Sequence, residues 1–183
     1  MEISQAQQDV QRVFRGGFAG QLVSSAIWFL SAAAATWFTH RSAILILFVG
    51  GCFIFPLTQL LLRSMGGPYS LPKGHPFNAL AMQIAFTLPA NFPLIIAATL
   101  YHHFWFYPAF MIALGAHYLP FIFLYRMWQF GVLAAALIGS GVVIGMYFPT
   151  IFALGGWLTA AMLLIFAFVG RSVASALQRH SAS

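Results

Sequence analysis

A chain of 183 residues that is 61% hydrophobic and 5% charged lies outside the composition of a water-soluble domain, in which about a quarter of residues are charged. Eight Lys and Arg against two Asp and Glu give a net charge of +6. In so apolar a chain that excess reads as membrane topology and contact with anionic headgroups, and it argues against a nucleic-acid partner.

The opening ISQAQQDVQRVF carries Ile3, Val10, Val13 and Phe14 near helical spacing, with Ser4 and Gln7 at the interval of a capping box. A short amphipathic helix is expected over residues 1–15, lying in the interface and either running into the first span or docking a partner. Six apolar stretches follow, at about 16–38, 42–63, 77–100, 107–126, 128–147 and 150–170. Each approaches the roughly 20 residues a helix needs to cross the hydrocarbon core, where backbone groups must bond within their own segment. The run SAAAA at 31–35 resembles a signal-peptide cleavage site, but the first stretch is longer than a signal core of roughly 7–15 residues and follows Glu2 and Asp9. Residues 171–183 read as a tail. The expected fold is therefore all-α: one membrane domain over 1–183, a bundle of six transmembrane helices.

With six spans, Arg12, Arg15, Arg63, Lys73, Arg126, Arg171 and Arg179 share one side and only Arg41 lies on the other. The positive-inside rule then predicts cytoplasmic N and C termini. Trp37, Trp105, Tyr107 and Tyr147 fall near the outer ends of spans and Tyr69, Tyr125 and Trp128 near the inner ends, as an interfacial aromatic belt requires. The single cysteine, Cys52, has no partner for a disulfide within the chain. The Gly- and Pro-rich loop SMGGPYSLPKGHP (64–76) is a candidate ligand loop or simply an ordered connection. Gly131, Ala135 and Gly139, with Gly141 and Gly145, and Gly16 with Gly20 near the start of the first span, predict close helix crossings or a homo-oligomeric or partner-protein contact.

The segments GGCFIFPLTQLL (50–61), KGHPFN (73–78) and GAHYLPFIFLYRM (115–127), with AQQDVQRVF at the start, resemble small bacterial six-span membrane proteins grouped as a domain of unknown function. The resemblance covers most of the chain. It implies a bacterial inner-membrane protein and carries no activity, cofactor or catalytic residue.

The chemistry concentrates at FTLPANFPL (86–94). Pro89 and Pro93 each remove a helical hydrogen bond, to the carbonyls of Ala85 and Pro89, and Asn91 between them adds a donor and an acceptor. If the third and fourth spans turn near Phe104, Asn91 lies at the depth of His117, and Gln83 at that of Tyr125. A turn of the first two spans near His40 likewise levels Gln21 with Gln59. These six residues are the candidate ligand-binding or pore residues, a polar column at the helix break made by Pro89 and Pro93. Separate interhelical hydrogen bonds are the plainer alternative. His117 is the one ordinarily titrating side chain expected at mid-depth.

Glu2 and Asp9 both precede the first span, so no carboxylate is available inside it for a proton relay, sodium coordination or acid–base pair. No nucleophile–base–acid set can be assembled. His117 lacks a histidine at matched depth for haem ligation, and no cofactor is expected. His40, His102 and His103 are a candidate metal set, although adjacent helical residues diverge by about 100°, so His102 and His103 share a metal only if their turn is non-helical. The leading functional expectation is permeation of a small solute or ion along the Asn91–His117 column. The alternatives are an accessory or structural membrane subunit and a histidine-dependent membrane metalloprotein or enzyme.

Overall fold

The structure is a computed structural model, and it describes residues 1–148 and 150–180. Among these residues the fold is helical throughout: α1 (Ile3–Val13), α2 (Phe18–Trp37), α3 (His40–Ser64), α4 (Phe77–Ala90), α5 (Phe92–Tyr101), α6 (Phe106–Tyr125), α7 (Gln129–Tyr147) and α8 (Leu154–His180), with single 3₁₀ turns at Arg15–Gly17 and His103–Trp105. Six segments are long and apolar enough to cross a membrane, the third being α4 and α5 joined across Asn91. The bundle has a basic end, where α1 and the 64–76 loop lie, and a histidine end around His40, His102 and His103.

Two boundaries differ from the sequence reading. The last span begins at Leu154 and runs on through residues 171–180 as the same helix, so the expected tail is helical as far as it is described; 181–183 lie outside the described residues. The capping box lies two residues earlier than Ser4–Gln7: the Glu2 amide donates to Gln5 Oε1 at 3.3 Å.

Helix α1 does not extend the first span. The Arg15–Gly17 turn separates them, with φ of 49° at Arg15, 65° at Gly16 and 83° at Gly17. A left-handed arginine costs roughly 1–2 kcal/mol, and its guanidinium is held there by bonds from Nη2 to the carbonyls of Met65 (2.9 Å) and Gly66 (2.6 Å). Ala6 and Val10 are buried, and the amides of Gln7 and Gln11 donate to the carbonyls of Phe123 (2.7 Å) and Tyr125 (2.5 Å). Those carbonyls belong to the last turn of α6, where helical donors run out; Phe123 also accepts the Arg126 amide at 3.2 Å, and Gln7 adds a second bond to it. Four residues apart, the two glutamines share one face of α1, and the helix docks as a cap on α6.

The loop beneath it is closed by His75, a buried imidazole whose Nδ1 accepts the Phe77 amide at 3.2 Å, leaving Nε2 facing Asp9 at 3.7 Å. Asn78 adds a bond to the Pro72 carbonyl at 2.9 Å. The KGHPFN segment thus folds the connection onto α1.

Helix α6 packs chiefly on α7, and α2 on α8 and α3, with α7 joining α8. Close crossings fall at glycines: a Cβ on Gly16 would stand 2.4 Å from the Gly170 carbonyl oxygen, and one on Gly141 would stand 2.9 Å from that of Pro108. Gly139, by contrast, faces open space, although Gly131 two turns before it packs against Ile122, where a Cβ would stand 3.0 Å away. Buried hydroxyls tie helices together: Ser25 donates to the Ala160 carbonyl at 2.8 Å, and Ser31 donates to that of Ala43 at 2.9 Å while Tyr107 lies 2.6 Å from its oxygen. Such bonds contribute about 0.6 kcal/mol each in a membrane.

Candidate functional site

Helix α3 and the α4–α5 pair face each other across a gap and make little direct contact. Phe48 of α3 meets Phe92 edge-on at 5.0 Å. On the basic side of that contact a cavity of about 240 Å³ lies between α2, α3, α4 and α6. Its floor is Trp28 and Phe110, packed edge to face at 5.2 Å. Its rim includes Phe55, Ala85 and Pro89, all exposed on the outer faces of α3 and α4, so the cavity borders a lateral gap toward lipid.

Most of the lining is apolar. The polar side chains are those of Ser24, Thr58, His117 and Tyr118. Thr58 Oγ1 is buried without a hydrogen-bond partner, an arrangement that costs about 1–3 kcal/mol while nothing satisfies the hydroxyl. Ala85, whose carbonyl Pro89 cannot bond, is in the same wall.

The helix break is stitched locally. The Asn91 backbone amide has shifted to the Leu88 carbonyl at 3.0 Å, and the Asn91 side chain donates to the Thr87 carbonyl at 2.7 Å, taking over the bond its own backbone gave up. Thr87 then carries the connection to α6. Its hydroxyl lies 2.7 Å from the Ile84 carbonyl and 2.8 Å from His117 Nδ1. A carbonyl only accepts, so the hydroxyl spends its proton on Ile84 and must accept from His117; the imidazole is the Nδ1–H tautomer with Nε2 as its acceptor.

Of the residues chosen from sequence, His117 and Pro89 line this cavity. His117 pairs with Thr87, four residues and about one helical turn before Asn91, and Asn91 bonds back to the Thr87 carbonyl rather than across to His117. Pro93 opens α5 on its outer surface. Gln83 is exposed on the outer face of α4, and Tyr125 is buried in an aromatic cluster with Phe121 (5.5 Å) and Phe130 (5.0 Å). Gln21 is buried beside Gly170 and Gln129 in a narrow void between α2, α7 and α8, its Oε1 unpartnered, while Gln59 is half-buried on α3. The six do not form one connected surface. Thr58, Thr87, Ser24 and Tyr118 went unselected; the signal available for them was a hydroxyl two residues after Pro56 and another two before Pro89.

At the histidine end, the residue between α5 and the 3₁₀ turn is extended (His102 φ −154°, ψ 114°), which brings the His102 and His103 rings nearly parallel at 5.9 Å. His40 stacks on Phe152 at 3.9 Å and lies 5.5 Å from His103. Among the described residues no three His, Cys, Asp or Glu side chains gather in a way that would hold a metal ion. The rings belong to an aromatic cluster.

A helical bundle of six apolar spans, with a mid-depth cavity beside a broken helix, defines a multi-pass membrane protein. Residues 3–171 match the model of a family of unknown function, DUF7010, and the chain belongs to that family. No curated protein and no solved structure matches it.

Proposed function

We propose that the protein binds a small lipophilic molecule bearing one hydroxyl-type group, taken from the bilayer through the gap between α3 and α4. The observation that carries this reading is Thr58 Oγ1, buried and unpartnered in the wall of an otherwise largely apolar cavity that also holds His117. A ligand hydroxyl donating to His117 Nε2 and accepting from Thr58 would satisfy both, and the apolar remainder would displace nothing well hydrated. The cavity's lateral border supports entry from lipid rather than from water.

The test uses a photoreactive long-chain alcohol and the full chain in lipid nanodiscs, with labelled residues mapped by mass spectrometry. Labelling is expected around Thr58, Ala85 and His117, and it is expected to fall in Gly51→Leu, because Gly51 lines the cavity and a Cβ there meets no atom within 4 Å. Uniform labelling of all lipid-facing helices, unaltered by Gly51→Leu, sinks the proposal.

A second reading, permeation of a small solute, is favoured by the broken third span, since unwound helices supply ligand groups in many transporters. Solute flux in proteoliposomes, comparing wild type with Asn91→Ala and His117→Ala, separates it from binding alone. The basic end is read as cytoplasmic and the membrane as a bacterial inner one on the distribution of Lys and Arg; reporter fusions at both termini test the orientation.

A further inference from the structure

A second cleft, of about 300 Å³, opens at the basic end and has a different character. Arg12 comes to it from α1, Arg15 from the left-handed turn before α2, and Arg171 from α8, while Gly66 and Gly67 supply a side-chain-free edge with φ of 72° and 94°. The contact that assembles it is backbone on backbone: Gly16 and Gly170 touch, so the arginines next to them in sequence, Arg15 and Arg171, are brought to one mouth.

Among the described residues, three guanidinium charges gather here with one carboxylate near them, Asp9, which is 3.9 Å from Arg12 and also faces His75 at 3.7 Å. Arg15 is anchored on two neutral carbonyls and Arg171 lies 4.9 Å over the Phe18 ring, so these contacts hold the side chains in place without cancelling their charge. Ser175 spends its hydroxyl proton on the Arg171 carbonyl at 2.9 Å, which leaves recognition to charge. Planar guanidinium forks match the tetrahedral oxygens of phosphate. Arg15 is the first residue of the first apolar span, which places the cleft at the depth expected of headgroups.

We propose that this cleft binds a phosphate group, that of an anionic phospholipid headgroup in the adjoining leaflet; a soluble phosphate has the same chemistry. The full chain in neutral maltoside micelles is titrated separately with phosphatidylglycerol, phosphatidylcholine and inorganic phosphate, and bound molecules are counted by native mass spectrometry. Phosphatidylglycerol is expected to bind at least about tenfold more tightly than phosphatidylcholine, and Arg12→Gln and Arg171→Gln each to weaken it about tenfold, the equivalent of roughly 1.4 kcal/mol. Arg41→Gln, at the other end, should change nothing. Inorganic phosphate binding as tightly as the lipid, with the same arginine dependence, keeps the phosphate site and assigns it to a soluble ligand. Equal binding of both lipids without an effect of inorganic phosphate, or an Arg41→Gln loss as large as the others, overturns the proposal. Arg12 is largely exposed and its removal is not expected to affect folding; should Arg171→Gln not fold, Arg12→Gln and the salt dependence of binding decide.

Discussion

His117 donates from Nδ1 to Thr87 Oγ1 across 2.8 Å, joining α6 to α4 between residues thirty apart in the chain. This bond, rather than one to Asn91, orients the imidazole at the cavity wall. Thr87→Val keeps the shape but removes the hydroxyl that accepts from His117, leaving the Ile84 carbonyl as its neighbour, so a loss of about 1 kcal/mol is expected. A double-mutant cycle with His117→Leu, read by unfolding in detergent, should return a coupling of about 0.6–1.7 kcal/mol. Additive losses would mean that the two side chains do not interact.

The Asn91 amide repairs a defect that Pro89 and the shifted backbone create. Asn91→Leu is therefore expected to destabilise by about 1 kcal/mol, and to accelerate amide exchange in α4. In a Pro89→Ala background, where a regular helix can restore the Asn91 N–H to the Thr87 carbonyl, the same substitution should cost much less. If it costs as much, the side chain serves something other than its own helix.

The Gly16–Gly170 crossing tolerates no Cβ: one on Gly16 would lie 2.4 Å from the Gly170 oxygen, and one on Gly170 would lie 2.7 Å from the Gly16 oxygen. Gly16→Ala also imposes a side chain on φ 65°. A loss of at least about 2 kcal/mol is expected for either alanine substitution. Gly139→Ala, facing open space, should be neutral or slightly stabilising, because alanine favours the helix by about 0.8–1 kcal/mol. Abundance of folded protein in membranes compares the three variants directly.

Gln7→Ala and Gln11→Ala each remove one bond to the end of α6, with an expected loss of about 0.5–1.5 kcal/mol apiece, the larger for Gln11, since Phe123 keeps the Arg126 amide. The double variant should release α1, seen as new protease cleavage before Arg15 while the six spans remain intact. An unchanged cleavage pattern would show that apolar burial of Ala6 and Val10 alone holds the helix.

The number of spans, their approximate limits and the basic end were legible in the residues because they depend on one-dimensional quantities: the length of an apolar run, the place of each Lys and Arg, and the position of prolines that forbid a hydrogen bond. The family resemblance rested on contiguous segments and needed no fold. What tertiary structure alone decided is rotation and mutual tilt. A helix turns 100° for each residue, so counting along the chain leaves open whether Gln83 faces lipid or a partner, whether Asn91 reaches across to α6 or back to Thr87, and which glycines of α7 meet a neighbour. The cavity depends on α3 and α4 standing apart, and the arginine cleft depends on two glycines touching across more than 150 residues of sequence. Both are properties of how faces meet, set by side-chain packing summed over the whole bundle, and no local pattern in the chain encodes them.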